Sequence, residues 1–296
     1  MPGMALVLAG GGLLGIAWEL GVMRGLKLGG VDPAQANLVI GTSAGSVAGA
    51  ILGSGVPVTD DLMPEAATLA RELERFQAAV DGTVAATIFE RWQAAAGALD
   101  QAARAEIGAL ATQVTTVPER EYVDLFKRFL PVTYWPKPLT ITGVDVDNGA
   151  FVAWDVTSGV PLVQAVAASC ALPGVFPPVT VGGHRYVDGG LRSGISADLA
   201  LGHDPVVVVV PIGGDAAMDY LLRETSGIRE AGARVIEIIA DERSALEMGA
   251  DLMDASRMTA AVQAGERQGE AAAAAWSRAS ARTASGYCFN LTTKLR

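Results

Sequence analysis

One serine in this chain stands where a nucleophile would be mounted. Val39-Ile40-Gly41-Thr42-Ser43-Ala44-Gly45 carries an apolar strand directly into Gly-x-Ser-x-Gly, and the short residues Ser46, Val47, Ala48, Gly49 and Ala50 follow. This order places a serine on a tight turn between a strand and a helix, where strained backbone angles demand small flanks. Gly41 and Gly45 would let the helix pass close to the strand. The Ser43 hydroxyl would then stand at a helix N-terminus, where free N–H groups and the helix dipole favour a developing negative charge. A serine in an ordinary Gly/Ala loop is the plainer reading in a chain with 35 glycines. The strand before it and the helix after it favour the nucleophile.

A second glycine-rich turn, Gly10-Gly11-Gly12-Leu13-Leu14-Gly15, follows the short apolar run Met4–Ala9 and precedes a periodic helix from about Ile16 to Leu28. Gly10, Gly12 and Gly15 match the dinucleotide fingerprint. That fingerprint also wants an acidic residue ending the next strand, to bind a ribose. Asp32 has about the right distance but sits in Gly29-Gly30-Val31-Asp32-Pro33, a turn before that strand. The other use of such a loop is to aim unshielded backbone N–H groups at an oxyanion. A third element is Gly182-Gly183-His184-Arg185-Tyr186-Val187-Asp188-Gly189-Gly190. Asp188 ends a short strand there. It reads either as a carboxylate base held by a turn or as a plain Asp-Gly hairpin.

Together these elements resemble the patatin-like phospholipase family, in order and along most of the chain. Gly10–Gly15 is similar to that family's oxyanion loop, Gly41–Gly45 to its nucleophile elbow, and Asp188-Gly189-Gly190 to its Asp-Gly-Ala/Gly motif. The stretch from Ala167 to Pro178 resembles the segment that precedes the aspartate. The resemblance implies a three-layer α/β/α fold and a serine acyl hydrolase of lipid-like carboxylic esters, with phospholipid, lysophospholipid and neutral acyl esters as candidate substrates. It implies a Ser43–Asp188 dyad, with Ser43 attacking the ester carbonyl and Asp188 taking its proton. The amides of Gly10, Gly11 and Gly12, joined by that of Ala44, would hold the oxyanion. It calls for no cofactor and no metal. The pattern departs at Leu14, where the family carries Arg or Lys; this points away from anionic phospholipids and leaves ester chemistry untouched. The alternatives are a Rossmann-type nucleotide-binding protein using Gly10, Gly12 and Gly15, and an inactive lipid-binding member of the same fold.

Composition agrees with an enzyme. The chain has 296 residues, half of them hydrophobic, so it can bury a large core. Its net charge of −10 argues against nucleic acid as a partner and gives no bulk attraction to anionic membranes. Transient contact with a membrane surface stays open, as does the oligomeric state. Cys170 and Cys288 are too few for a disulfide scaffold and suit a reducing cytoplasm. No signal peptide or spanning run is read: Gly10–Gly12 and Glu19 break the apolar N-terminus, and no basic residue precedes Arg24.

The elements that must position these residues alternate. Strands are expected at Met4–Ala9, Leu38–Thr42, Leu139–Val146, Phe151–Trp154, Val179–Val181, Arg185–Val187, Val206–Ile212 and Val235–Ala240, with a helix around Pro161–Ala168. This predicts a mainly parallel sheet between helices, with sites at the carboxyl ends of its strands. The whole of residues 1–296 reads as a single acyl-hydrolase domain. It carries a helical insert at about 56–137 and a C-terminal helical tract at about 244–282. The insert reads as three helices, about Asp61–Val80, Val84–Gln113 and Pro118–Phe129, whose Phe76, Ile88, Phe89, Trp92, Leu99 and Ile107 either line an acyl pocket or simply pack. A short edge strand is expected at Tyr287–Leu291.

The two histidines, His184 and His203, both read as turn residues, which favours a dyad over a Ser-His-Asp triad. His184→Gln and His203→Gln should therefore each retain most ester hydrolysis, as should the double variant. A loss of several powers of ten at either position, with circular dichroism unchanged, would establish a triad instead.

Overall fold

Short runs of branched and apolar residues build the sheet, and glycine, proline and aspartate end them. The computed structural model describes residues 3–57, 62–78, 80, 82–94 and 99–284. In chain order the elements are β1 (Ala5–Leu8), α1 (Gly12–Leu28), β2 (Leu38–Gly41), α2 (Ala44–Ser54), α3 (Leu62–Ala78), α4 (Gly82–Ala94), α5 (Gln101–Ala111), α6 (Glu119–Phe129) and β3 (Leu139–Asp145). There follow β4 (Phe151–Trp154), α7 (Leu162–Ser169), β5 (Val179–Val181), β6 (His184–Asp188), β7 (Val206–Val210), α8 (Asp215–Glu230), β8 (Val235–Ile239), α9 (Glu242–Met248) and α10 (Met258–Ala284).

The eight strands form one sheet, along the path β5-β6-β3-β2-β1-β7-β8 with β4 also on β3. From β3 to β8 the neighbours on that path run parallel, while β4, β5 and β6 join antiparallel. Side chains alternate across the pleat, so each strand feeds two cores. Leu6, Leu8, Val207 and Val209 pack towards α1, α2 and α10. Ala5, Val7, Val206 and Val208 pack with Leu221 and Ile228 of α8. That division is the three-layer α/β/α arrangement. The insert α3–α6 adds a satellite core in which Ile88 and Ile107 meet Val144, Val187 and Leu191.

One expected helix and the expected helical tract are each divided. Val84–Gln113 is divided into α4 and α5, because Asp100 caps a new start by accepting the Ala103 N–H at 2.8 Å. The C-terminal tract is also two helices. Asp241 caps α9 through the Ser244 N–H at 2.7 Å, and Gly249, at φ +76°, ends it before α10 begins. The Tyr287–Leu291 strand and Cys288 lie outside the described residues. Among the described residues no helix is long and apolar enough to cross a membrane.

α10 is seated on α1 backbone to backbone. A Cβ added at Gly21 would lie 2.1 Å from the Val262 carbonyl oxygen, one at Gly25 2.1 Å from that of Glu266, one at Gly265 2.0 Å from that of Trp18, and one at Gly269 2.2 Å from that of Val22. Glycines four apart on both helices thus remove the side chains that would hold the axes apart. Gly265→Ala must push the helices apart and should cost about 1–3 kcal/mol or more. Gly227→Ala, in α8 with nothing within 4 Å of the new methyl, should instead add up to about 1 kcal/mol of helix propensity. Thermal unfolding of the two variants reads this opposition, and two losses of equal size would refute the close-packing account.

Candidate functional site

Strand register explains how residues far apart in sequence meet. Ile141 of β3 pairs with Gly41 of β2 and with Trp154 of β4, so β2 and β4 take opposite edges of β3. Gly143 pairs with Val152 of β4 and with Asp188 of β6, so β6 takes the same edge as β2. β2 runs parallel and β6 antiparallel to β3, and the two approach end to end. The residues just after β2 therefore face the last residue of β6. Thr142 sits at the join: its Oγ1 is 2.8 Å from that of Thr42, and a Cβ on Gly189 would come within 2.2 Å of it.

Ser43 is the pivot between β2 and α2, at φ 53° and ψ −118°. A non-glycine residue there stores on the order of 1–3 kcal/mol of strain, which the surroundings must hold. They do so from several sides. The Ser43 N–H donates to Ser169 Oγ at 2.9 Å. Its carbonyl accepts the Ser46 hydroxyl at 2.7 Å and the Cys170 thiol at 3.3 Å. Gly45 donates to the Ala9 carbonyl at 3.1 Å, and a Cβ on Gly45 would lie 2.0 Å from the Leu8 carbonyl oxygen. Any side chain at Gly41 would meet the Gly45 carbonyl at 2.5 Å. The Ser43 side chain caps no N–H of its own helix, so its hydroxyl is left to the site.

Asp188 is 2 % exposed. Burial pushes its carboxyl up to about 7, against the opposing pull of the Gly190 N–H, which donates to it at 2.7 Å, and of the Ser43 hydroxyl. The apolar walls are Val187 and Leu191, and the insert closes over them. A Cβ on Gly190 would lie 3.0 Å from Asp188 Oδ1 and 3.6 Å from Trp92 Cζ2, so the α4 tryptophan and the carboxylate both border Gly190. Asp188 does not lead into a hairpin, since Gly189–Leu191 form a 3₁₀ turn instead. A carboxyl near 7 is a usable base at neutral pH, and an ordinary one is not.

Gly10, Gly11 and Gly12 border the serine, but their amides differ. The Gly10 N–H donates to the Gly194 carbonyl at 2.7 Å, which corrects its assignment as an oxyanion donor. Gly11 and Gly12 begin α1, and Ala44 begins α2, where no intrahelical carbonyl reaches the N–H groups. Among the described residues these three amides find no hydrogen-bond acceptor. Gly12 needs to be glycine, at φ +63° with Leu252 and Met253 against it, and Gly11 and Gly15 admit Pro211. Leu14 is fully buried in the main core, so a cation in its place would bury a charge rather than greet a substrate.

The other candidates fall away from the centre. Asp32 caps a 3₁₀ turn through the Ala34 N–H, and β2 ends in Gly41 rather than an acid, so the ribose-binding part of a dinucleotide site is missing. His184 is exposed and faces Asp145 at 3.5 Å. His203 is half-buried in the turn before β7. The Cys170 thiol is pushed far up by burial, so it is a packing residue beside the elbow. Phe76, Ile88 and Ile107 are core residues, Phe89 is exposed, and Leu99 joins the satellite cluster. Ser169, Thr142 and Tyr122, whose hydroxyl donates to the Cys170 carbonyl at 2.8 Å, support the site without any sequence signal beyond proximity to the Ala167–Pro178 stretch.

A family model described as patatin-like phospholipase matches residues 6–201, more than half of the chain. The chain belongs to the patatin-like phospholipase family. No curated protein matches it. Among solved structures, VipD from Legionella pneumophila is 13 % identical, with a TM-score of 0.42, over 92 % of this chain and 66 % of that one. The type III effector protein ExoU is 19 % identical, with a TM-score of 0.41, over 93 % and 53 %. This patatin-like chain thus spans about two thirds of the first and about half of the second.

The raised Asp188 carboxyl has a thermodynamic sign. The folded chain holds this proton more tightly than the unfolded chain, whose aspartate titrates near 3.9. Its contribution to stability is full below about pH 4 and is lost as pH rises through about 7. Asp188→Asn carries no charge at any pH. It should melt above the wild type at pH 8, by a margin on the order of a few kcal/mol that shrinks towards pH 4. Identical pH dependence of melting in both proteins would contradict a desolvated Asp188.

Proposed function

We propose that this patatin-like protein hydrolyses lipid-like carboxylic esters through a Ser43–Asp188 dyad and an acyl-enzyme. The observation that carries the reading is the meeting of a strained, uncapped serine with a desolvated carboxylate where β2 and β6 abut. Ser43 Oγ attacks the ester carbonyl while its proton passes to Asp188. The carbonyl oxygen takes up negative charge against the N–H groups of Gly11, Gly12 and Ala44, at the N-termini of two helices. Collapse breaks the bond to the alcohol, which leaves with the proton from Asp188. Water then attacks the acyl-enzyme, again losing its proton to Asp188, and the acid departs as Ser43 recovers its hydrogen. Leu14 is fully buried, so the residue at position 14 does not itself discriminate anionic from neutral esters.

Ser43→Ala removes one hydroxyl and no core packing. It should abolish ester hydrolysis and covalent labelling by a fluorophosphonate, with the fold retained. Mass spectrometry of the labelled wild type should find the adduct on Ser43. Hydrolysis by the variant above a few per cent of wild type, or an adduct elsewhere, overturns the assignment. An unlabelled wild type that binds lipid would support the inactive reading.

A further inference from the structure

We infer that Leu252 and Met253, in the loop between α9 and α10, form the wall along which the substrate's acyl chain lies, and that Met253 limits the size of chain admitted. This rests on the acyl-hydrolase reading of Ser43, and it assigns a role to a part of the chain beyond the span matched by the family, residues 6–201.

The loop is fastened to the N-terminal turn of α1. The Leu14 N–H donates to the Leu252 carbonyl at 2.9 Å, directly after the turn that carries the Gly11 and Gly12 amides. Against the Gly12 α-carbon stand Leu252, through its Cβ and its carbonyl oxygen at 3.2 Å, and Met253 Sδ at 3.3 Å, measured to the position of an added Cβ. A carbonyl oxygen held by the Gly12 amide would sit about 3 Å from that nitrogen. A thioether in contact range of the same residue lies beside whatever is attached to the carbonyl. Both side chains are half-buried, so each keeps a face uncovered.

The loop is braced. Asp251 Oδ1 accepts the Met253 N–H at 2.9 Å, and Asp254 holds the following turn through Ser256 at 3.0 Å. That turn, Ala255–Arg257, packs against α1, α3 and α10, so the loop bridges the oxyanion loop and the helical insert. The close-packed glycines of α1 and α10 fix the loop's C-terminal anchor against the same helix that carries the amides. The two side chains offered are apolar, which suits an alkyl chain rather than a charged head group. Methionine, unbranched and flexible, adapts to chains of differing length.

The test compares Met253→Ala, Met253→Phe and wild type on p-nitrophenyl butyrate and laurate, with butyl and dodecyl fluorophosphonates as covalent probes of Ser43. Phe should lower the laurate-to-butyrate ratio of kcat/KM by about tenfold or more, and Ala should raise it, since a methylene-scale change in an apolar pocket is worth about 10- to 200-fold. The dodecyl-to-butyl ratio of inactivation rates should move the same way. Ratios that stay at the wild-type value in both variants, with circular dichroism unchanged, overturn the inference. Labelling of Ser43 by the butyl probe in that same case leaves the acyl-hydrolase reading standing. A wild type that cleaves neither ester and takes up neither probe overturns both.

Discussion

The backbone of Ser43 is the constraint on which the structure turns. At φ 53° and ψ −118° it cannot rest in any comfortable well for a residue with a side chain. It stays there because five neighbouring groups leave it no other place. Ser169 takes its N–H, Ser46 and Cys170 take its carbonyl, Gly45 reaches back to Ala9, and Thr42 donates to the Leu8 carbonyl at 3.1 Å. The strain is offset by the packing of two layers, helix α2 onto strand β1. That packing is feasible only because Gly45 has no side chain. The hydroxyl is thereby presented outward, at a helix start, rather than folded back into a cap.

The other half of the site obeys the opposite requirement. Asp188 must be dry to be basic, and dryness comes from elements that arrive late in the chain order or from outside the central layers. Val187 and Leu191 flank it from its own segment, while Trp92 of α4 stands beside Gly190. The insert thus acts on the electrostatics of the carboxylate as well as on access to it. The glycine seam between α1 and α10 makes a comparable link on the far side, tying the C-terminal helix to the turn that carries the Gly11 and Gly12 amides.

Much of this was legible because the signals were local. Val206–Val210 is an uninterrupted apolar run between Pro205 and Gly213, and the strand falls within two residues of the expected bounds. Gly41, Ser43 and Gly45 announce an elbow once their spacing is read with the apolar strand before them and the small residues after them. What was illegible depended on partners distant in sequence. Nothing near Gly10 says that its amide meets Gly194, so a run of three glycines reads as three equal donors. Helical periodicity runs through Val84–Gln113 with no proline to stop it, and the break appears only when Asp100 is seen capping a new start. Leu252 and Met253 look like ordinary apolar residues after Gly249-Ala250-Asp251 until the fold lays them on Gly12.

The end-to-end meeting of β2 and β6 along one edge of β3 also governs when chemistry becomes available. Neither strand is hydrogen-bonded to the other, so β3 alone measures the gap between them. A slip of β6 by one residue would turn Asp188 to the opposite face of the sheet. The partners are separated by the whole insert and by β4 and α7, so their pairing is a long-range event that follows local structure. An incompletely folded chain therefore carries Ser43 without Asp188 beside it. On the proposed reading, ester cleavage becomes available only once the central sheet has closed.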